Sequence, residues 1–373
     1  MKKRVVVLGA TGSIGQNALS LIREFPDEFC LAGFSYHANM QLSSYIKEEF
    51  GGALSLCTRE ISASETIESR LERFQQFLEN CKADIVLNGI QGSSGLIPSY
   101  ASLVCGLPLC LANKESIVMG YELLKSTAKK TNASIIPVDS EHWAIFQLLN
   151  MSEKEKIEKL IITASGGAFR DVPDEKLKDV RLKDAFSHPT WKMGAKITID
   201  SASLANKALE VIEATKLFNF ASDDVIVTVH KESIVHSMVQ TQGGSIYAQL
   251  SPPDMKVPIF GALVFPNPTP KHLAPLDFSV AFSLHFAPPR KNAFPMLQMG
   301  FDVARMQGAY PIAFNAANEV AVEAFIEQKI PFVQIPELVS EVLQHDWHVF
   351  PCTLEEIYAI DRCARSFLAK WTK

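Results

Sequence analysis

The apolar run Ile135-Ile136-Pro137-Val138 leads straight into Asp139-Ser140-Glu141-His142. In an extended or turning segment residues two apart face the same way, so Asp139 and Glu141 can close on one divalent cation while Ser140 faces elsewhere. Two carboxylates alone hold such an ion weakly, and a third acidic ligand has to come from another part of the chain. The same residues also fit an ordinary acidic helix start, with Ser or Asp as N-cap before Trp143-Ala144-Ile145-Phe146. A third carboxylate decides between a metal site and a charged turn.

The segment from Ser187 to Glu210 is dense in reactive side chains. If a helix begins near Ser201, Asn206, Lys207 and Glu210 share one face, because residues three and four apart are neighbours on a helix. Glu210 can then be the missing carboxylate, although Glu213 competes for the role and a plain surface Lys/Glu pair fits the same spacing. Ser201, Asn206 and Lys207 would supply neutral donors and one cation to a phosphate held in the field of a helix N-terminus. Upstream, Ser165-Gly166-Gly167 follows an apolar run and can form either an anion-binding nest of backbone N–H groups or a flexible turn. Trp191, between Pro189 and Gly194, reads as an aromatic flap over a substrate or as a core anchor. Lys114 follows the strand Leu107–Leu111, at the carboxyl edge of a sheet where ligands of open α/β folds gather. It also reads as one half of a solvated Lys/Glu pair with Glu115.

At the other end of the chain Gly9-Ala10-Thr11-Gly12-Ser13-Ile14-Gly15 lies between a strand pattern and a helix pattern. There a glycine-rich turn carries a pyrophosphate: Gly9 for the tight turn, Gly12 for backbone approach, Gly15 for helix packing. A site selective for NAD would place Asp or Glu after the second strand, whereas this chain has Phe34-Ser35-Tyr36-His37-Ala38-Asn39. The absence of a carboxylate favours NADP, and no lysine or arginine stands there either. His37 reads as an adenine-ribose contact or as an incidental surface imidazole.

These groups need a scaffold. Strand patterns at Arg4–Gly9, Phe29–Ser35, Asp84–Asn88, Leu107–Leu111 and Ser134–Val138, with a helix over Ser13–Phe25, predict a parallel βαβ sheet. From about Asp139 the pattern becomes α+β: a strand over Lys159–Thr163, a helix over about Ala202–Leu217, a strand over Val225–Val229, and a hairpin with arms His236–Thr241 and Ser245–Leu250 turned by Gln242-Gly243-Gly244. The proline-dense stretch from Pro252 to about Pro289 is expected to sustain no helix, and its latter part reads as a linker. Helices are expected near 294–306, 316–328, 333–344 and 353–370, a small terminal bundle. The expected domains are 1–138, 139–264 and 292–373, with 265–291 as linker.

At 373 residues the chain is long enough for two or three domains, and a net charge of -5 offers no basic field for nucleic acid. No apolar run approaches the roughly 18 residues of a membrane span, and the N-terminus enters a strand without a secretory core, so a cytoplasmic protein is expected. Seven cysteines, odd in number and without a C-x-x-C pair, indicate neither a disulfide framework nor a zinc site. None lies between Leu111 and Pro351, which argues against a semialdehyde dehydrogenase with a thiol nucleophile there. A non-catalytic NADP-binding sensor would be expected to have lost a metal carboxylate.

The blocks GATGSIG, NGIQGSSGL, LANKESIV, PVDSEHWAIFQ, ASGGAF, HPTWKMGAKITIDSASLANKALEVIEA, HSMVQ, SPPDM and NAANEVAVEAF together resemble the 1-deoxy-D-xylulose 5-phosphate reductoisomerase family, in its order and over essentially the whole chain. The resemblance implies an N-terminal Rossmann-like dinucleotide-binding domain, an α+β catalytic domain and a C-terminal helical bundle. It implies NADPH-dependent conversion of 1-deoxy-D-xylulose 5-phosphate to 2-C-methyl-D-erythritol 4-phosphate, with Mg²⁺ or Mn²⁺ on Asp139, Glu141 and Glu210. Ser165, Ser201, Asn206 and Lys207 would then bind phosphate, and Lys114, Ser140 and His188 would contact substrate, with Lys114, His188 and Glu210 catalytic. Thr11, Gly12, Ser13, Ile14, Asn39, Asn113, Glu115 and Gly194 match the family's cofactor contacts, beside which His37 and Ala38 lie, and Trp191 and Met193 match its lid. The usual cation of the Gly-Lys-Asn or Gly-Arg-Asn segment is missing at His37-Ala38-Asn39. The family resemblance and an apolar hairpin edge suggest a homodimer.

Overall fold

The computed structural model describes residues 2–61, 65–151, 156–186, 194–267, 273–306 and 308–371. In chain order the first elements are β1 (Lys3–Leu8), α1 (Ser13–Glu24), β2 (Phe29–Tyr36), α2 (Met40–Glu49), β3 (Leu54–Cys57), α3 (Ile67–Cys81), β4 (Ile85–Asn88), α4 (Leu96–Val104), β5 (Leu109–Leu111), α5 (Lys114–Thr131), β6 (Ile135–Pro137) and α6 (Ser140–Met151). Then follow β7 (Ile157–Ala164), α7 (Leu182–Ala185), α8 (Ala195–Ser203), α9 (Ala205–Phe218), β8 (Val225–Val229), β9 (Val235–Thr241), β10 (Ile246–Leu250), α10 (Lys256–Val264), α11 (Met296–Arg305), α12 (Tyr310–Ile326), α13 (Gln334–Leu343) and α14 (Leu354–Phe367).

The chain divides into two compact units, 1–143 with 254–273 and 144–253 with 274–373. In the first, six parallel strands run in the order β3-β2-β1-β4-β5-β6, a doubly wound Rossmann-like sheet whose strand order reverses between β1 and β4. Val5, Val6, Val7 and Leu8 are wholly buried, as the continuous apolar run of a central parallel strand requires. The proline-dense stretch departs from expectation: α10 forms inside it, with Pro258 at its third residue, where the missing N–H has no intrahelical partner to lose. Phe260 of α10 packs on Phe25 and Phe29 at ring separations of 4.6 and 5.7 Å, and Lys3 donates to the Leu263 carbonyl at 2.6 Å.

The second unit is built on a mixed sheet, β10-β9-β7-β8, in which β7 pairs parallel with β8 and antiparallel with β9. The hairpin forms as the sequence predicts, Ile246 opposite Gln240. The single helix expected over about Ala202–Leu217 is two helices, because Leu204 takes a left-handed conformation (φ 61°) that ends α8 and starts α9 anew. Helix α12 has almost every residue buried; it begins at Tyr310, earlier than its apolar period suggests, with Pro311 in its first turn. Asn318 of α12 donates to Asp200 of α8 at 2.8 Å, and Asp200 also receives Lys196 at 2.7 Å.

Candidate active site

The first unit carries a dinucleotide turn. Gly9 has φ +78°, and a Cβ there would meet the Gly89 carbonyl oxygen at 3.0 Å. At Gly15 a Cβ would lie 2.4 Å from the Gly9 carbonyl oxygen, so only glycine lets α1 start this close to β1. Gly12 is the N-cap of α1 and provides no side-chain hydrogen bond to the helix's first N–H groups, which suits an anion. Thr11, Gly12, Ser13 and Ile14 form the accessible rim of this turn. Ser35, at the end of β2, braces it: its hydroxyl accepts from Gly9 N–H at 2.9 Å and its carbonyl from Ala10 N–H at 2.8 Å. His37 and Ala38 are exposed beyond β2, and Asn39 caps α2 by accepting from Leu42 N–H at 3.0 Å.

Asn113 and Glu115 are only 2% and 6% exposed and hold the turn after β4 in place. Glu115 Oε1 accepts from Gly92 N–H at 3.1 Å; Asn113 donates to the Gly92 carbonyl at 2.9 Å and to Glu115 Oε2 at 2.8 Å. Gly92 sits at φ +74°, a turn conformation that glycine adopts without strain. Asn88 ties the same turn from within β4, donating to Gly95 O at 2.9 Å and to Ser99 Oγ at 2.7 Å. Ser35 and Asn88 are positioning residues that sequence reasoning missed, since their partners are remote in the chain.

Asp139 immediately precedes α6, and Glu141 lies in its first turn. The acidic pair is therefore set by a helix start, not by an extended segment: Asp139 Oδ1 accepts from Glu141 N–H at 3.3 Å and its carbonyl from Trp143 N–H at 2.7 Å. The two readings of this segment are compatible, because capping leaves Asp139 Oδ2 for the Lys114 ammonium at 2.5 Å. Ser140 donates to Glu141 Oε2 at 2.5 Å. His142, wholly buried with Nδ1 3.4 Å from Asp139 Oδ1, is a further neighbour that sequence reasoning did not single out; its signal was the i,i+3 spacing.

In the second unit, Gly166 (φ +87°) and Gly167 (φ +71°) turn the chain out of β7 just past Ser165. A Cβ on Gly167 would fall 2.4 Å from the Ser201 carbonyl oxygen, so this glycine brings the Ser165 turn against the end of α8. Ser201 belongs to the last turn of α8, not to the start of the next helix as the spacing suggested; the left-handed Leu204 intervenes. Asn206 and Lys207 occupy the first turn of α9, where the helix field favours an anion. Both engage Glu210: Asn206 donates to Oε1 at 2.6 Å and Lys207 pairs with Oε2. Lys207, Glu210 and Glu213 are 4%, 1% and 1% exposed. The Glu210 carboxylate suits a hard divalent cation and the Lys207 ammonium suits a phosphate, and either ligand would exchange with the internal pair. Gly194 is the N-cap of α8. His188, Trp191 and Met193 lie outside the described residues.

Comparison with known proteins covers the same ground. Three family models match: 1-deoxy-D-xylulose 5-phosphate reductoisomerase over residues 5–120, its C-terminal domain over 135–218, and the DXP reductoisomerase C-terminal domain over 250–367. A 1-deoxy-D-xylulose 5-phosphate reductoisomerase of Treponema denticola is 54% identical, covering 98% of this chain and 96% of that protein. A crystal structure of DOX-P reductoisomerase in complex with NADPH, fosmidomycin and magnesium superposes with TM-score 0.87 at 32% identity, covering 99% of this chain and 98% of that one. The Zymomonas mobilis reductoisomerase in complex with NADPH gives 0.84 at 33% identity and 98% of both chains. This chain belongs to the 1-deoxy-D-xylulose 5-phosphate reductoisomerase family.

Proposed function

We propose that this protein converts 1-deoxy-D-xylulose 5-phosphate to 2-C-methyl-D-erythritol 4-phosphate, with NADPH as reductant and Mg²⁺ or Mn²⁺ as metal, in the non-mevalonate route to isoprenoid precursors. Full-length membership of the family carries this reading. The glycine turn of the first unit and the Ser165–Gly167 turn of the second support it chemically, since each has a backbone that only glycine permits.

Asp139, Glu141 and Glu210 are the proposed metal ligands: three carboxylates are the oxygen-donor set that Mg²⁺ or Mn²⁺ prefers. When bound, the cation supplies Lewis-acid stabilisation of developing oxyanion charge and NADPH supplies hydride. Ser165, Ser201, Asn206 and Lys207 grip the substrate phosphate, and binding energy remote from the reacting carbons can be used to order the reacting end. Lys114 and Ser140 orient that end, and Lys114 is a fixed cation against developing negative charge. His188 is assigned to substrate, and Trp191 and Met193 to a lid that excludes water, on the family resemblance. Thr11, Gly12, Ser13 and Ile14 face the cofactor's phosphates; Gly194, Asn39, His37 and Ala38 are assigned to the rest of it. Asn113 and Glu115 serve it by holding the Gly92 turn.

A cytoplasmic homodimer completes the reading. Among the described residues no helix is long and apolar enough to cross a membrane. β10 is an edge strand whose Ile246 and Tyr247 are 55% and 56% exposed, an apolar edge that a second copy would cover. Nicotinamide absorbance followed with the deoxyxylulose phosphate, with and without Mn²⁺, tests the activity. No oxidation of NADPH under either condition rules out the reductoisomerase and leaves a binding role.

A further inference from the structure

A single phosphate on the adenosine ribose distinguishes NADPH from NADH, and an NADP site places a cation near the end of the second strand. In this chain the residues after β2, His37-Ala38-Asn39, include none. The neighbouring strand provides one. β3 pairs in parallel with β2, from Gly33 opposite Leu54 to Tyr36 opposite Cys57, so the two strands end side by side at the same edge of the sheet.

The chain leaves β3 as one 3-10 turn, Thr58–Glu60, fastened to the β2 exit. Thr58 Oγ1 donates to the Tyr36 carbonyl at 3.1 Å and lies 3.1 Å from His37 Nδ1. Having given its one proton to Tyr36, the hydroxyl accepts from the ring N–H, so the imidazole is turned toward β3. Cys57 adds a weak thiol donation to the His37 carbonyl at 3.8 Å. Arg59 comes next; it is exposed and, among the described residues, forms no side-chain hydrogen bond or ion pair. Two other cations of this unit, among the described residues, have contacts of their own. Arg23 pairs with Glu49. Lys47 stands seven residues beyond Met40, roughly 10 Å along the helix axis, with its ammonium 5.7 Å from the Tyr36 ring centroid.

We propose that Arg59 is the residue that selects NADPH over NADH in this chain, its guanidinium taking the 2′-phosphate from the β3 side of the adenosine site. The inference rests on the NADPH reading above. A guanidinium fits this role because it is permanently charged and presents a planar fork of donors that phosphate oxygens can accept in pairs.

The test uses the full chain and binding alone: fluorescence titration of NADPH and NADH, and calorimetric titration of adenosine 2′,5′-bisphosphate and 5′-AMP. Arg59→Ala should weaken NADPH and the bisphosphate by about tenfold or more, the usual weight of a hydrogen bond to a charged group, and leave NADH and 5′-AMP within about twofold. Arg59→Lys should fall between, and Lys47→Ala should match the wild type. Equal loss on NADPH and NADH, no loss with Arg59→Ala, or a selective loss with Lys47→Ala overturns the assignment. A wild-type chain that binds no NADPH overturns the functional reading itself, and the two failures are thus distinguishable.

Discussion

Lys114 Nζ lies 2.5 Å from Asp139 Oδ2, and the two side chains are 7% and 10% exposed. Each follows one of two paired strands, β5 and β6, with Leu111 opposite Pro137. The ion pair therefore joins the carboxyl ends of adjacent strands and presets the first proposed metal ligand.

Replacing Lys114 by Met removes the counter-charge and leaves a buried carboxylate. The cost should approach the ~3–5 kcal/mol of a broken buried pair, read as a lower denaturation midpoint. Turnover should fall by about a hundredfold or more, as when a donor to developing charge is lost. A Lys114→Met enzyme with wild-type kcat would remove Lys114 from the mechanism.

Glu210→Gln keeps the shape of the side chain and discards its charge. Mn²⁺ binding, measured by electron paramagnetic resonance, should weaken by at least about tenfold, in line with the loss of one charged ligand, while NADPH affinity stays within about twofold. If Glu213→Gln loses the metal and Glu210→Gln does not, the third ligand is Glu213.

Glu115→Gln looks conservative and should not be. Both carboxylate oxygens accept, one from Gly92 N–H and one from Asn113 Nδ2. A Gln amide must turn its NH₂ toward one of these donors, at a cost of about 1–3 kcal/mol for an unsatisfied buried group. The KM for NADPH should rise with the loosened turn; unchanged stability and KM would show that the turn is held by other means.

Gly167→Ala places a Cβ 2.4 Å from the Ser201 carbonyl oxygen at φ +71°. Overpacking of this kind costs about 1–3 kcal/mol. Kinetically it should raise the KM for the phosphorylated substrate while leaving the Kd of NADPH unchanged, because Ser165 and Ser201, which this glycine brings together, are assigned to the phosphate and not to the cofactor. Equal effects on both would contradict that assignment.

Burial pushes the Cys110 thiol from 9.0 up to about 12 and the Cys81 thiol up to about 11. A folded-state pKa above the unfolded one means that the unfolded chain loses its proton first. Stability should thus be unaffected well below pH 9, and above it should fall by about 1.4 kcal/mol per pH unit per thiol. Thermal midpoints between pH 8 and 11 measure this, and a Cys81→Ala, Cys110→Ala variant should flatten the decline. Exposed Cys352 and Cys363 should react with a thiol reagent at pH 8 while Cys110 does not.

Five strands of the first sheet were legible because β1, β2, β4, β5 and β6 are largely apolar, mostly buried runs, as a parallel sheet covered on both faces requires. Strand β3 went unseen: it has four residues, begins at exposed Leu54 and owes its existence to pairing with β2. The Leu204 break was hidden by its residue type, since left-handed backbone is usually signalled by Gly or Asn. Pro258 masked α10, as a proline in a first turn reads like a helix breaker until the start of the helix is known. In the site, the types and spacing of Asp139, Glu141, Asn206, Lys207 and Glu210 were readable. The anchoring roles of Asn113 and Glu115 were not, because Gly92 is more than twenty residues away in sequence.

Helix α12 has consequences for how the protein is made. A helix buried on nearly all sides has no stable surface of its own, and it packs on α8 earlier in the chain and on α13 and α14 after it. The turns that carry Ser201, Asn206 and Lys207 therefore leave the ribosome well before the elements that complete their packing. At the usual rate of synthesis this gap lasts roughly ten to thirty seconds, during which the nascent second unit exposes apolar surface. A premature stop before α14 would then yield an aggregation-prone chain in which the first unit is intact and the second is never finished.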